Sequence, residues 1–115
     1  MTLWEIEYYT RPNGNQPVAL WLEQLSIDYR KVVEAKIAAL AQYGTRLLDT
    51  KVLKLIRGSD NDFYELRGGR CRVAIFHSGI ARRFVLLHGF TKTRDNERRE
   101  ISRARDLLHE YLQIR

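Results

Sequence analysis

Four charged side chains crowd one short stretch of this chain: Glu65, Arg67, Arg70 and Arg72 in FYELRGGRCR, with two glycines between the second and third. His88 and Lys92 follow downstream. A guanidinium grips phosphate or carboxylate through a planar fork. An imidazole titrates near neutrality and can pass a proton. A carboxylate beside arginine either takes a proton or orients the cation. Together these types suit one kind of work, which is holding an oxyanion and moving a proton beside it. The other histidines, His77 and His109, show no metal-ligand spacing with His88, and the single cysteine, Cys71, sits among apolar residues, so no metal site is expected. No glycine-rich loop runs into a helix as nucleotide phosphates require, so no cofactor is expected either.

These side chains need a rigid support. A strand over about Leu3–Tyr9 places Trp4, Ile6 and Tyr8 on one face and Glu5 and Glu7 on the other. TRPNGN breaks it, and a helix starts near Gln16 with Pro17 in its first turn, carrying Val18, Trp21, Leu22 and Leu25 inward. A second helix, Ile27–Tyr43, buries Tyr29, Val33, Ile37, Leu40 and Ala41 and stops at Gly44. Lys51–Ile56 reads as a strand, RGSDND as a loop, and Phe63–Arg67, Arg70–His77 and Ala81–His88 as an antiparallel meander turning at Gly68-Gly69 and near Ser78-Gly79. A last helix covers about Asn96–Leu112, with Ile101, Ala104, Leu108, Tyr111 and Leu112 in one stripe and Arg98, Arg99, Arg103 and Arg105 on the remaining arc. The expected fold is α+β: a small, antiparallel-rich sheet covered on one face by the helical hairpin, with a C-terminal helix.

With Gly68-Gly69 as a two-residue turn, Arg67 faces Arg70, Leu66 faces Cys71, Glu65 faces Arg72 and Tyr64 faces Val73. Glu65, Arg67, Arg70 and Arg72 then share a face opposite the helical hairpin, and truncating an arginine there should open no cavity. A plainer reading is a cross-strand Glu65–Arg72 pair beside solvated arginines, which contributes below ~1 kcal/mol. Phe84–Leu87 is continuously apolar, as in an interior strand covered on both faces. Whether the following His88 points to the arginine face depends on strand register.

Charge placement sharpens the picture. The chain has 115 residues and a net charge of +6, yet residues 1–62 are neutral and the excess lies beyond them, almost wholly as arginine. A surface kept basic for solubility mixes lysine with arginine, so a polyanionic partner, nucleic acid above all, fits better. The length suits a single domain over residues 1–115. One cysteine, no signal pattern at the amino terminus and no long apolar run point to a cytoplasmic protein with no membrane partner.

At FYELRGGRCRVAIF and VLLHGFTKTRDNERREISRA the chain resembles the RelE/ParE toxin superfamily, and within it the phage-derived HigB-like branch. The family pattern is a strand L-Y-E-L-R, a strand R-V-x-x-F, then L-L-H-x-F-x-K-K and a helix with E-I-x-x-A. Here these stand as Phe63–Arg67, Arg72–Phe76, Leu86–Lys92, and Glu100-Ile101 with Ala104. Thr93 replaces the second lysine, with Arg94 next to it, and DNER stands where Thr-Pro often opens the last helix. The resemblance implies the toxin of a type II toxin–antitoxin pair. Such a toxin enters the ribosome, cuts messenger RNA there, and is neutralised by a cognate antitoxin, often a helix-turn-helix protein.

The residues support such chemistry without a metal. A neighbouring 2′-hydroxyl attacks phosphorus in line while a base takes its proton, an acid protonates the leaving oxygen and cations hold the developing charge. Arg67, Arg72 and Lys92 can form the clamp, His88 is the candidate for proton transfer, and Glu65 is either an alternative base or the group orienting Arg72. Arg70, Arg94, Arg98 and Arg99 are candidates for holding the nucleic acid. Two other readings stay open: a gyrase-directed toxin of the ParE type, and a basic nucleic-acid-binding module with no enzymatic activity.

Overall fold

The computed structural model describes residues 3–58, 61–79 and 82–114. Five strands form one sheet: β1 (Glu5–Tyr8), β2 (Leu53–Ile56), β3 (Phe63–Gly68), β4 (Cys71–His77) and β5 (Arg83–Thr91). Their spatial order is β1-β5-β4-β3-β2. β1 pairs with β5 in parallel, and every other neighbour is antiparallel. The expected first residue of the last strand, Ala81, and part of the RGSDND loop lie outside the described residues.

Between the two edge strands the chain crosses one face of the sheet as α1 (Pro17–Gln24), α2 (Ile27–Tyr43) and a 3₁₀ stretch over Gly44–Asp49. Pro17 takes the first helical position, where its missing N–H leaves nothing unsatisfied. The Ser26 hydroxyl caps α2 by accepting from the Tyr29 N–H at 3.3 Å. α2 ends at Gly44 with φ +58°, and the Trp4 indole occupies the space a β-carbon would need there. Val18, Leu22, Val33, Ile37 and Leu40 meet Leu66, Cys71, Val73, Ile75, Phe84 and Leu86 of the sheet. Tyr29, expected in this core, is 43% exposed. Of α2's stripe, burial begins at Val33, so its first turn lies beyond the packed interface.

α3 (Glu97–Ile114) covers part of the opposite face. Ala104, Leu107 and Leu108 pack against Tyr9, Phe63, Ala74, Val85 and Leu87. β5 is therefore enclosed on both sides, and Phe84–Leu87 are fully buried. A polar staple fixes the helix: Glu110 accepts from the Tyr9 hydroxyl at 2.7 Å and from Arg11 Nε and Nη2 at 3.0 Å each. Burial, with help from Glu110, pushes the Tyr9 phenol up to about 12. Among the described residues no helix is long and apolar enough to cross a membrane.

Candidate functional site

The β3–β4 hairpin turns one residue later than expected. Gly69 and Arg70 make the turn, Gly68 pairs with Cys71, Arg67 with Arg72, and Glu65 with Ala74. The two glycines answer different demands. Gly69 takes φ +58°, as a tight turn needs, with open space around it. Gly68 stays in the strand and lies beneath α2, where a β-carbon would come within 3.1 Å of Val32 Cγ1 and 3.2 Å of Lys36 Cγ. Both strands advance by one residue, so the faces are preserved. Glu65, Arg67 and Arg72 still project together, opposite α1 and α2, and only Arg70 leaves them for the turn.

Glu65 is 2% exposed, the one charged residue among the buried ones described. It accepts from Arg67 Nε at 3.0 Å, and Arg72 Nε stands 3.7 Å away. Arg72 is itself held, Nη1 donating to the Gly69 and Cys71 carbonyls at 2.7 and 3.0 Å. A carboxylate so placed orients two guanidiniums and is poorly exposed for service as a base. In place of the lone surface pair of the plainer reading stands a three-membered, largely buried cluster, and the arginines contribute to packing as well as charge. Truncating one of them is accordingly a stability change, contrary to the expectation from strand faces alone.

His88 reaches the same face through a defect in the sheet. Residues pair regularly from Cys71↔Thr91 to Ala74↔His88, but the next pair is Ile75↔Leu86, leaving Leu87 as an extra residue. The bulge lets Val85 and Leu87 face α3 while His88 and Phe90 stay on that side too. Two cross-strand rows result: Glu65, Ala74 and His88 in one, Arg67, Arg72 and Phe90 in the next. His88 Nε2 lies 3.4 Å from Glu100 Oε2 of α3, with side-chain exposures of 15% and 21%. Burial holds the imidazole below its ordinary 6.5; the Glu100 charge pulls upward and Arg103 adds to the fall.

Beside these rows, Gly69, Arg70, Arg72, Lys92, Thr93 and Arg94 line an open groove of about 360 Å³. The Lys92 N–H donates to the Arg70 carbonyl at 2.7 Å, which locks the hairpin turn to the end of β5. Lys92 Nζ lies 3.5 Å from Glu97 Oε2. In place of Thr-Pro, Asn96 shapes the loop into α3: its side chain accepts from the Thr93 N–H at 2.9 Å and donates to the Thr91 carbonyl at 3.0 Å. Arg94 is exposed at the groove, whereas Arg98 and Arg99 are exposed on the first turns of α3 and do not line it. Arg105 serves the fold instead, donating to the carbonyls of Asn61 and Arg57 at 3.0 and 3.3 Å with its guanidinium 5.0 Å above Phe63.

Residues 20–109 match the family described as phage derived protein Gp49-like (DUF891). The chain belongs to the Gp49-like family. No curated protein matches it. In this Gp49-like chain the matched span holds the whole site from Glu65 to Glu100.

Sequence reasoning passed over the carboxylates of α3. Glu100 served only to mark a motif and Glu97 was not singled out, yet each pairs with a candidate site cation or imidazole of the Gp49-like chain. Their signal is position: acidic residues in the first turn of a helix that directly follows a basic loop. Among the described residues no three His, Cys, Asp or Glu side chains gather as metal ligands would.

Proposed function

We propose that this Gp49-like chain is the toxin of a type II toxin–antitoxin pair, acting as a metal-independent endoribonuclease on messenger RNA in the ribosome. One observation carries the reading. Cations of the groove, Arg70, Arg72, Lys92 and Arg94, adjoin the buried Glu65 cluster on the sheet face that also holds His88. The resemblance of its strands and last helix to RelE/ParE toxins supports the same conclusion.

In this reading a messenger phosphate lies over the groove. The 2′-oxygen attacks phosphorus as its proton leaves to His88, the 2′-O–P bond forms, and the P–O5′ bond breaks as the 5′-oxygen gains a proton from water. Arg72 and Arg67, held by Glu65, face the charge that grows on the non-bridging oxygens, and Lys92 closes the other side. A fixed donor of this kind is worth about 2.7–4 kcal/mol in the transition state. His88, buried and biased toward its neutral form, is the proton acceptor. Arg70, Arg94, Arg98 and Arg99 hold the flanking chain. A cognate antitoxin restrains the activity.

Expressing the protein without its antitoxin tests this. Protein synthesis should stop, with messengers cut within their coding regions and DNA supercoiling unchanged. Intact messengers with altered supercoiling would identify a gyrase-directed toxin instead, and unimpaired growth would leave only a binding module.

A further inference from the structure

The surroundings of His88 come from four elements, β3, β4, its own β5 and α3. Its row on the sheet places Ala74 beside it on β4 and Glu65 beyond, with Arg72 in the adjacent row. Phe90 of its own strand stacks against the ring at 5.9 Å between centroids. α3 supplies Glu100 at 3.4 Å and the charge of Arg103. The carboxylate meets Nε2 alone. A carboxylate can only accept, so the pair exists when Nε2 carries the hydrogen. Nδ1 is then the lone-pair nitrogen of the neutral ring.

We propose that Glu100 is the positioning residue of the site: from α3 it fixes His88 in its Nε2–H tautomer and sets the pH at which the imidazole can accept a proton. Nothing in the expected chemistry assigned Glu100 a role, and the proposal rests on the cleavage reading above. Glu100 is well placed for this because it stands in the first turn of α3, whose register the Asn96 loop and the Glu110 staple fix at either end. Helix and sheet are thereby coupled at the ring. A shift of α3 along its axis would disengage the pair without moving Arg67 or Arg72 of the sheet.

Nitrogen-15 NMR of the imidazoles across a pH series reads the pairing directly, on the wild type and on Glu100→Gln and Glu100→Ala. The wild type should show the Nε2–H tautomer at His88. In Glu100→Gln the amide oxygen can still accept, so the tautomer should persist. Loss of the charge should nevertheless lower the titration midpoint, since the Glu100 charge no longer offsets burial and Arg103. Glu100→Ala should lower the midpoint similarly and mix the tautomers. In ribosome-dependent messenger cleavage, the acid limb of the pH–rate profile should move with the midpoint in Glu100→Gln. Glu100→Ala should lose part of the ~10²–10⁴-fold that positioned proton transfer supplies.

An unchanged midpoint in Glu100→Gln overturns the proposal, as does a midpoint that moves while the acid limb stays. Should the wild type cleave no messenger, the cleavage reading falls, and with it the catalytic use of the pair. The imidazole titration still decides whether the pairing exists.

Discussion

Arg67→Ala removes the guanidinium that hydrogen-bonds the buried Glu65 carboxylate at 3.0 Å and leaves Arg72 at 3.7 Å as its remaining described ion-pair partner. A buried acceptor stripped of its donor costs about 1–3 kcal/mol, so the variant should melt measurably below the wild type. Adding Glu65→Gln should recover part of that loss, because the group left unpaired is then neutral. Thermal unfolding of the single and double variants measures both. Equal melting temperatures for Arg67→Ala and the wild type would mean that the cluster is solvated and only decorative. This was half legible beforehand. Strand alternation placed Glu65, Arg67 and Arg72 on one face whichever glycine began the turn, since advancing both strands by a residue preserves parity. How deeply Glu65 lies could not be read from the hairpin alone, because α3 covers part of this face from far along the chain.

At the level of elements, α1 meets β5 where Trp21 lies over Gly89. A β-carbon at Gly89 would run into the indole, although the backbone there has no positive φ to forbid alanine. Gly89→Ala should therefore cost about 1–3 kcal/mol by overpacking, and Trp21→Ala about 3 kcal/mol by emptying a partly enclosed site. The double variant should cost less than the two together, since without the indole the added methyl has room. Denaturant unfolding gives all three values, and strict additivity would contradict the contact. The helical hairpin, the meander and the last helix were readable because 3.6- and 2-residue periods and turn glycines mark them locally. The bulge at Leu87 was not. Leu87 is apolar and ends the run Phe84–Leu87, so nothing in the residue marks it as the extra one, yet it decides that His88 faces the arginines. Tyr29 was misread for the converse reason: helical spacing says which side a residue faces, but not where along the helix the sheet ends.

For the whole molecule, charge and enclosure divide the sheet's two faces between them. One face is closed by α1 and α2 around an apolar core. The other is half closed by α3 and carries the arginine cluster, and the groove opens beside it. The basic second half of the chain supplies the arginine cluster and the groove, while the neutral first half supplies the helices that close the other face. Charge placement alone made a polyanionic partner legible, but the reaction depends on contacts between β3, β4, β5 and α3 that only folding brings together. The most direct test uses purified protein, programmed ribosomes and a chelator to remove divalent metal after the ribosomes are fixed in their assembled state. Wild type should cut the messenger and leave a 2′,3′-cyclic phosphate and a 5′-hydroxyl. Arg72→Ala should cut slower by roughly 10²–10³-fold while still folded, and Arg72→Lys should recover only part, because a point charge cannot replace the fork. Full cleavage by Arg72→Ala, or wild-type cleavage that stops when metal is removed, would contradict the account.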